Sequence, residues 1–260
     1  SNLIILLFLY SIFLVLFFMG LVQGLTEFLP VSSSGHLVLL ANIFNVEESL
    51  FISILLHVAT LLSICVVFYK DIFALLRHPF SKNTLMLVVA TIPTCLIALV
   101  LMPFIKSSFG GGFLPVSFLI TAAILVITEL FAKNTKEFSY KTAIFMGIAQ
   151  GFAVFPGISR SGATISAGLL SKGDKKECAK FSFLMSIPII LLSLIMEIYE
   201  GISGGINISY PISAIIISFI VAFLSGIFAI KFMMKLTEKG KLWWFSCYLL
   251  LLSLVTFFIV

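Results

Sequence analysis

Six long apolar stretches constrain this chain more than any other feature of its sequence. They cover residues 50–69, 84–105, 114–132, 181–199, 212–230 and 242–260. An α-helix rises about 1.5 Å per residue, so each stretch is long enough to cross a hydrocarbon layer of roughly 30 Å. With 61% hydrophobic and 10% charged residues, the chain also has too little polar surface for a soluble domain. We therefore predict an all-α polytopic membrane protein with six transmembrane helices.

The basic residues predict how these spans are oriented. Fourteen of the sixteen lysines and arginines lie in four loops, as Lys70, Arg77 and Lys82, then Lys133, Lys136 and Lys141, then Lys172, Lys175, Lys176 and Lys180, and finally Lys231, Lys235, Lys239 and Lys241. Under the positive-inside rule these loops are cytoplasmic. The opposite side carries Lys106 with Glu47, Glu48, Glu197 and Glu200. Because loop position explains the net charge of +5, no nucleic-acid partner is expected.

One polar motif occurs twice, 127 residues apart. The first copy, from Met19 to His36, reads M-G-L-V-Q-G-L-T-E-F-L-P-V-S-S-S-G-H, and the second, from Met146 to Ala163, reads M-G-I-A-Q-G-F-A-V-F-P-G-I-S-R-S-G-A. The copies differ at three chemically important positions, where Glu27, Ser33 and His36 of the first are replaced by Val154, Arg160 and Ala163. Two related halves are thus predicted to supply different parts of one site.

The second copy of the motif is not expected to cross the membrane. Lys141 before it and Lys172 after it both belong to cytoplasmic loops. Residues 143–170 are therefore predicted to form a re-entrant helix-turn-helix hairpin. The helix would be broken by Gly151, Pro156, Gly157 and Gly162. The same reasoning makes residues 1–46 an outer hairpin with residues 1–20 as its first arm, and a conventional seventh span is the competing interpretation.

Each half then contains one re-entrant hairpin and three transmembrane helices. An odd number of spans inverts the second half relative to the first, and inverted repeats place their site near the membrane midplane, at the interface between the halves. We predict a single membrane domain over residues 1–260, with repeat 1 covering residues 1–132 and repeat 2 covering residues 141–260. No secretory signal is predicted.

Gln23 and Glu27 are candidate metal ligands. Their spacing of four residues puts both side chains on one helical face. A carboxylate within the membrane costs on the order of 2.5–3.5 kcal/mol on insertion scales, so it is usually functional or paired. Oxygen ligands suit a hard divalent cation, Mg²⁺ or Ca²⁺. The alternative is that Glu27 only holds His36 or Arg160 in place.

Two hydroxyl-rich turns are candidate phosphate-binding segments. Each precedes a predicted helix, and the second contains Arg160. Hydroxyls and free N–H groups at a helix start bind anions, and a guanidinium adds bidentate recognition of phosphate. The candidate substrate-binding residues are Ser32, Ser34, Gly35, Gly157, Ser159, Ser161 and Thr164. The alternative is that Ser32, Ser34, Ser159 and Ser161 merely cap helix ends.

Two histidines receive different interpretations. His36 follows the first turn, where an imidazole can exchange protons or attack phosphorus, and we predict it to be catalytic together with Glu27, Ser33 and Arg160. His57 stands alone in the first span, and we interpret it as a structural or supporting residue. The cysteines, Cys65, Cys95, Cys178 and Cys247, lack C-x-x-C spacing, so no metal or redox centre is expected there.

The motifs resemble those of one enzyme family, the undecaprenyl-diphosphate phosphatases of the bacitracin-resistance type. Q-G-L-T-E-F-L-P-V-S-S-S-G-H resembles the family's first signature and P-G-I-S-R-S-G-A-T its second, while F-S-F-L-M-S-I-P resembles the stretch that follows. The resemblance covers essentially the whole chain. It implies an enzyme of the cytoplasmic membrane that removes the terminal phosphate from undecaprenyl diphosphate, with a site facing the outer side, and it implies a homodimer.

The resemblance also implies roles for individual residues. The family's metal-associated motif falls on Gln23 and Glu27, its catalytic histidine on His36 and its phosphate-binding arginine on Arg160. Lining the same pocket would be Ser33, Ser159 and Thr164. Many members have glutamate where this chain has Gln23, which weakens the expectation that two carboxylates share a metal.

Two questions about the reaction stay open at the level of the sequence. The nucleophile is His36, Ser33 or a water molecule activated by His36, and we favour His36 in a nucleophilic or proton-transfer role, with Glu27 orienting it or holding a metal ion. The protein is predicted to be a phosphatase, but a transporter or flippase of a polyprenyl phosphate lipid is the alternative, because inverted repeats with broken helices are typical of transporters. Glu27 and His36 favour the enzyme, since a carrier needs neither a nucleophile nor a proton donor.

Overall fold

The computed structural model describes residues 2–44, 50–108, 112–132, 137–204 and 210–259, and within these ranges the chain is entirely helical. The helices are α1 (Asn2–Thr26), α2 (Ser33–Phe44), α3 (Leu50–Val67), α4 (Tyr69–Arg77), α5 (Lys82–Ser108), α6 (Leu114–Phe131), α7 (Tyr140–Phe152), α8 (Arg160–Leu170), α9 (Lys175–Gly204), α10 (Ile212–Lys239) and α11 (Trp243–Ile259). The predicted all-α class is confirmed.

Five of these helices, α3, α5, α6, α9 and α10, are long and apolar enough to cross a membrane. They coincide with five of the six predicted spans, and the chain is a polytopic membrane protein. The sixth predicted span forms α11, which has 17 residues and is shorter than the others. Helix α1 runs unbroken for 25 residues, or about 37 Å at the usual helical rise. This length suits either a long hairpin arm or the alternative of a seventh span.

The helix ends that carry basic residues lie at one end of the helix bundle. Lys180, near the start of α9, is 2.5 Å from the carboxylate of Asp71 on α4. Phe138, just before α7, packs on Phe181 of α9 with 4.8 Å between the ring centroids. This grouping of helix ends agrees with the prediction that the basic loops lie on one side of the membrane. Some of the charges used in that count lie outside the described part of the structure, namely Glu47, Glu48, Lys133, Lys136 and the side chain of Lys106.

Two helix pairs with short connections carry the two copies of the motif. Residues 27–32 join α1 to α2, and residues 153–159 join α7 to α8. Because α7 and α9 start at the same end of the bundle and only four residues separate α8 from α9, the α7–α8 pair begins and ends at that end. Two residues in these connections have left-handed backbones, Ser32 with φ 71° and Gly157 with φ 87°.

The four residues predicted to break the second hairpin have two different roles. Pro156 and Gly157 lie in the connection between α7 and α8, as expected. Gly151 and Gly162 instead lie inside α7 and α8, where each is a site of close packing. A Cβ atom at Gly151 would be 2.7 Å from Cβ of Ile97 on α5. The break is therefore made by Pro156 and Gly157, while Gly151 lets α7 approach α5 and Gly162 lets α8 approach Pro30 in the first connection.

The first glycine pair of each motif copy lets its helix lie directly against a helix from the other half of the chain. On α1, a Cβ at Gly24 would be 2.4 Å from the carbonyl oxygen of Ala222 on α10. On α7, a Cβ at Gly147 would be 2.1 Å from the carbonyl oxygen of Ala90 on α5. Such backbone contact between small residues is a main source of helix association in membranes. The packing therefore crosses between the halves, with α1 on α10 and α7 on α5.

We expect Gly147→Ala to destabilise the protein even though alanine is the better helix former. The added methyl group meets a backbone oxygen that cannot rotate away, and overpacking of this kind costs about 1–3 kcal/mol. Gly204→Ala, at the end of α9, is the matched control because no atom of the described part of the chain lies within 4 Å of its added Cβ. Thermal unfolding in detergent should show a lower Tm for Gly147→Ala and an unchanged or higher Tm for Gly204→Ala. Equal Tm values for the two variants would contradict the packing argument.

Candidate active site

A cavity of about 190 Å³ lies between the connections of the two helix pairs and the helices α3 and α9. Its walls contain Thr26, Glu27, Ser32, Ser33, Ser34, His57, Gln150, Ala153, Val154, Ile158, Ser159, Arg160, Ile189 and Ser193. Both motif copies contribute to it, which brings together the predicted residues Glu27, Ser32, Ser33, Ser34, Ser159 and Arg160. We call it the phosphate cavity.

Glu27 and Arg160 form an ion pair between the two helix pairs. Glu27 follows the last residue of α1, and Arg160 is the first residue of α8, so the pair joins positions 133 residues apart. The guanidinium Nη2 contacts Oε1 of the carboxylate. The side chain of Glu27 is only 4% exposed, while that of Arg160 is 20% exposed. The pair compensates a buried carboxylate and leaves other guanidinium donors available to a ligand.

The second oxygen of Glu27 accepts hydrogen bonds from its own helix pair. The Ser33 hydroxyl donates to Oε2 at 2.5 Å, and the Gln23 amide nitrogen donates to the same oxygen at 3.1 Å. A hydroxyl held on a carboxylate is the arrangement of a nucleophile beside its general base. Ser33 also begins α2, as Arg160 begins α8, so the positive ends of two helices meet at the cavity.

The remaining predicted hydroxyls divide between the cavity wall and the scaffold. Ser159 lines the cavity and also caps α8, since the amide of Gly162 donates to its Oγ at 3.1 Å. Ser161 donates to the carbonyl of Leu29 at 2.9 Å and so ties the two helix pairs together. Thr164 does not line the cavity, because its hydroxyl is 2.6 Å from that of Ser182 on α9. The capping alternative thus describes Ser159 in part and also Ser32, whose Oγ accepts from the amide of Gly35 at 3.4 Å. Ser161 and Thr164 instead hold helices in place.

Gly35 and Gly157 also lie outside the cavity wall and serve the approach of the two connections. A Cβ at Gly35 would be 3.0 Å from Cα of Gly157 and 2.7 Å from the ring of Phe118 on α6. The left-handed backbone of Gly157 adds to this requirement, because a side chain is strained there. Thr121, which lies on α6 like Phe118, accepts a hydrogen bond from the amide of Ser159 at 3.1 Å. Helix α6 therefore positions the second connection against the first.

His36 is not among the residues that line the phosphate cavity. Its Nδ1 donates to the carbonyl of Ser32 at 2.7 Å, and its Nε2 accepts from the hydroxyl of Tyr248 at 2.7 Å. The two rings are stacked, with 11° between their planes. Both nitrogens of the imidazole are thus engaged behind the hydroxyl-rich turn, where they hold the left-handed Ser32. His36 follows the turn in the sequence, but the hydrogen bond to Tyr248 of α11 holds its ring outside the cavity wall.

Several residues of the cavity were not predicted from the sequence. Gln150 is the repeat counterpart of Gln23, and this recurrence was a usable signal. His57 is an imidazole within a span, which is also a signal because ionisable groups in membranes are usually functional. Thr26 lies beside a predicted site residue, whereas Ser193 lies in α9 with no motif around it.

The predicted metal ligands provide few donors by themselves. The described residues contain no group of three or more His, Cys, Asp or Glu side chains placed to bind a metal ion. Gln23 is fully buried and does not line the phosphate cavity, and its Oε1 has no hydrogen-bond partner among the described residues, so this oxygen is available to a cation. One carboxylate and one amide oxygen fit a cation such as Mg²⁺ that completes its shell with phosphate oxygens and water.

The sequence matches a known family and its members. The family model described as bacitracin resistance protein BacA matches residues 16–255. A protein named undecaprenyl-diphosphatase from Carboxydothermus hydrogenoformans is 42% identical and covers 90% of this chain and 92% of its own length. Proteins of the same name from Christiangramia forsetii and Thermosipho africanus are 40% and 38% identical and cover 91% and 93% of this chain.

We expect the Glu27–Arg160 pair to show strong energetic coupling. Glu27→Gln leaves the guanidinium without its partner, and Arg160→Gln leaves a buried carboxylate, so each single variant should unfold at a lower temperature than the parent. The double variant should be more stable than the sum of the single losses, with a coupling energy of about 1–3 kcal/mol. A double-mutant cycle of unfolding free energies measures this coupling. Additive losses would mean that the two groups do not interact.

Proposed function

The chain belongs to the bacitracin resistance protein BacA family, and we propose how its site hydrolyses undecaprenyl diphosphate to the monophosphate and inorganic phosphate. The protein is a phosphatase of a membrane lipid carrier. The observation that carries the mechanism is the position of Ser33 and Arg160 on the two oxygens of the buried Glu27 carboxylate. The proposed nucleophile Ser33, its base Glu27 and the phosphate-binding guanidinium of Arg160 thus share one cavity.

In the first step Ser33 attacks the terminal phosphorus of the diphosphate. The new bond joins Oγ of Ser33 to that phosphorus, the bond from phosphorus to the bridging oxygen breaks, and the hydroxyl proton passes to Glu27. The polyprenyl monophosphate leaves, and a phosphoserine remains. The 2.5 Å hydrogen bond from Ser33 to Glu27 supports this assignment, because the proton is already directed at its acceptor.

In the second step water releases the phosphate. Water attacks the phosphorus of the phosphoserine and loses one proton to a base, while Glu27 returns its proton to Oγ of Ser33. Inorganic phosphate leaves, and both side chains are restored. Phosphoryl transfer needs mainly alignment and charge stabilisation. Arg160, the hydroxyls of Ser32 and Ser34 and the N-termini of α2 and α8 supply both.

His36 has a supporting role in this proposal. It holds the carbonyl of Ser32 and therefore the connection from which Ser33 projects. A divalent cation, Mg²⁺ or Ca²⁺, would be held by Gln23 and Glu27 together with the substrate. Such a cation supplies further neutralisation of the diphosphate charge.

The substrate is amphiphilic, and an apolar cavity adjoins the polar one. This second space, of about 290 Å³, is bounded by α6, α7 and α8 and shares Ala153 and Ile158 with the phosphate cavity. Its other walls include Ile124, Phe152 and Leu170. The first isoprene units of the lipid would occupy it, while the remainder of the tail lies in the bilayer.

The proposal includes the membrane topology. In this topology the chain has six spans and two re-entrant hairpins, related as inverted repeats over residues 1–132 and 141–260. The site would lie in the cytoplasmic membrane and open to its outer side. Two observations support this arrangement. The α7–α8 pair begins and ends at the basic end of the bundle, and the close helix contacts cross between the halves. A homodimer is part of the same proposal.

We expect Ser33→Ala, Glu27→Gln and Arg160→Gln each to lower phosphate release by roughly 100-fold or more, since each removes a group acting at the reacting phosphorus. The measurement is inorganic phosphate released from a polyprenyl diphosphate by purified protein in detergent. Ser203→Ala is the control, because its hydroxyl is exposed and, within the described residues, donates locally to the carbonyl of Tyr199. Full turnover by Ser33→Ala would assign the attack to water. A parent protein without turnover under any metal condition would favour the transporter.

We expect removal of divalent cations to stop phosphate release and Mg²⁺ or Ca²⁺ to restore it. Gln23→Glu adds a second carboxylate beside Glu27, so the variant should reach half-maximal activity at a lower cation concentration than the parent. Activity is titrated with each cation after exhaustive chelation. Unchanged turnover in the presence of chelator would remove the cation from the proposal.

A further inference from the structure

A second cavity, lined by both polar and apolar side chains, adjoins the phosphate cavity along α3 and α9. It has a volume of about 240 Å³ and shares Ser34, His57, Val154 and Ser193 with the phosphate cavity. Farther along, its wall is formed by Ser53 and Glu197. His57 stands where the two cavities meet, and no other histidine lines either of them. We call this second space the relay cavity.

The hydrogen bonds of His57 determine which of its ring nitrogens is free. Nδ1 is 3.0 Å from the carbonyl oxygen of Ser53 and 3.8 Å from Oε1 of Glu197. A carbonyl oxygen can only accept, so Nδ1 carries the proton. Nε2 is then an unprotonated acceptor, and no described residue donates a hydrogen bond to it. A histidine held in this way by its other nitrogen is oriented for proton transfer.

Glu197 stabilises this orientation from the opposite helix. The Ser53 hydroxyl lies 3.4 Å from Nδ1 of His57 and 3.3 Å from Oε1 of Glu197. Because it donates to Glu197, it can accept but not donate at Nδ1, which keeps the proton on Nδ1 for the Ser53 carbonyl. Oε2 of Glu197 is buried without a hydrogen-bond partner among the described residues. A pair that only tied α3 to α9 would not need to place an imidazole on the wall of the phosphate cavity. The nearby carboxylate instead compensates a positive charge formed on His57.

The second step of the proposed reaction requires a base that the first step has not consumed. After Ser33 has been phosphorylated, Glu27 holds the proton and is committed to returning it to Oγ of Ser33. The attacking water therefore needs a different acceptor. His57 is the remaining side chain of the phosphate cavity that combines an unprotonated ring nitrogen with a carboxylate behind it.

We propose that His57 is the general base that activates water against phosphorylated Ser33, and that Glu197 is a positioning residue for it. This inference rests on the proposed function. Water gives one proton to Nε2 of His57 as its oxygen bonds to phosphorus, the bond from phosphorus to Oγ of Ser33 breaks, and Glu27 returns its proton to that oxygen. The imidazolium of His57 then loses its proton to water in the relay cavity.

The test follows label from a polyprenyl diphosphate carrying ³²P in its terminal phosphate, using the full chain in detergent with rapid acid quenching. We expect His57→Gln and His57→Asn to lower phosphate release by roughly 100-fold, as for loss of a general base, and to accumulate protein-bound label approaching one phosphate per chain. Adding Ser33→Ala should abolish that label. The asparagine variant retains a donor for the Ser53 carbonyl, which keeps α3 in place if the glutamine variant does not fold.

Controls separate this inference from the proposed function. His78→Gln makes the same change in a cavity beside α4 and should behave as the parent. Glu197→Gln should accumulate less protein-bound label than the His57 variants. Glu197→Asp, which keeps the carboxylate, should recover the turnover that Glu197→Gln loses. Parental turnover in a folded His57 variant, or lost turnover without protein-bound label, overturns the role of His57 while the phosphatase assignment stands. A parent protein that releases no phosphate overturns both.

Discussion

The buried carboxylate of Glu27 is the constraint on which the rest of the site depends. A charge at this depth is costly unless it is paired and hydrogen-bonded, and its pairing partner, Arg160, comes from the other half of the chain. The two helix pairs must therefore meet for either half to be stable. Because one carboxylate receives a guanidinium on one oxygen and a hydroxyl on the other, the pairing that compensates the buried charge also brings together the groups that we propose as nucleophile, base and phosphate-binding group.

Close backbone contact between helices makes this meeting possible. Apolar side chains gain little by leaving lipid for a helix interface, so association relies on packing of small residues. Gly24 on α1 and Gly147 on α7 provide such contacts with helices from the opposite half, and Gly35 approaches Gly157 where the connections face each other. The repeated glycines thus position the connections, while the differing residues between them are those that we propose to perform the chemistry.

The two histidines illustrate the limits of reading a site from neighbouring residues. His36 lies three positions from Ser33, yet its ring stacks on Tyr248 and both its nitrogens are engaged outside the cavity. His57 lies in another helix with no motif around it, yet it lines both the phosphate cavity and the relay cavity and lies close to the carboxylate of Glu197. The spacing of two residues along the chain indicates whether they share one face of a helix. The helix that packs against that face determines which hydrogen-bond partners their polar atoms find.

The sequence by itself determined the features that depend on local composition and spacing. Apolar length predicted the membrane helices, the basic loops predicted which helix ends lie together, and the repeated motif predicted that Glu27, Ser33 and Arg160 share a site, because these depend on residues close in sequence or on a duplicated pattern. Tertiary structure alone decided which hydroxyls line the cavity, that Ser161 and Thr164 brace helices, and that His57 rather than His36 lines the cavity. Those outcomes depend on contacts between helices distant in the chain, and no local spacing specifies which distant side chain will complete a hydrogen bond.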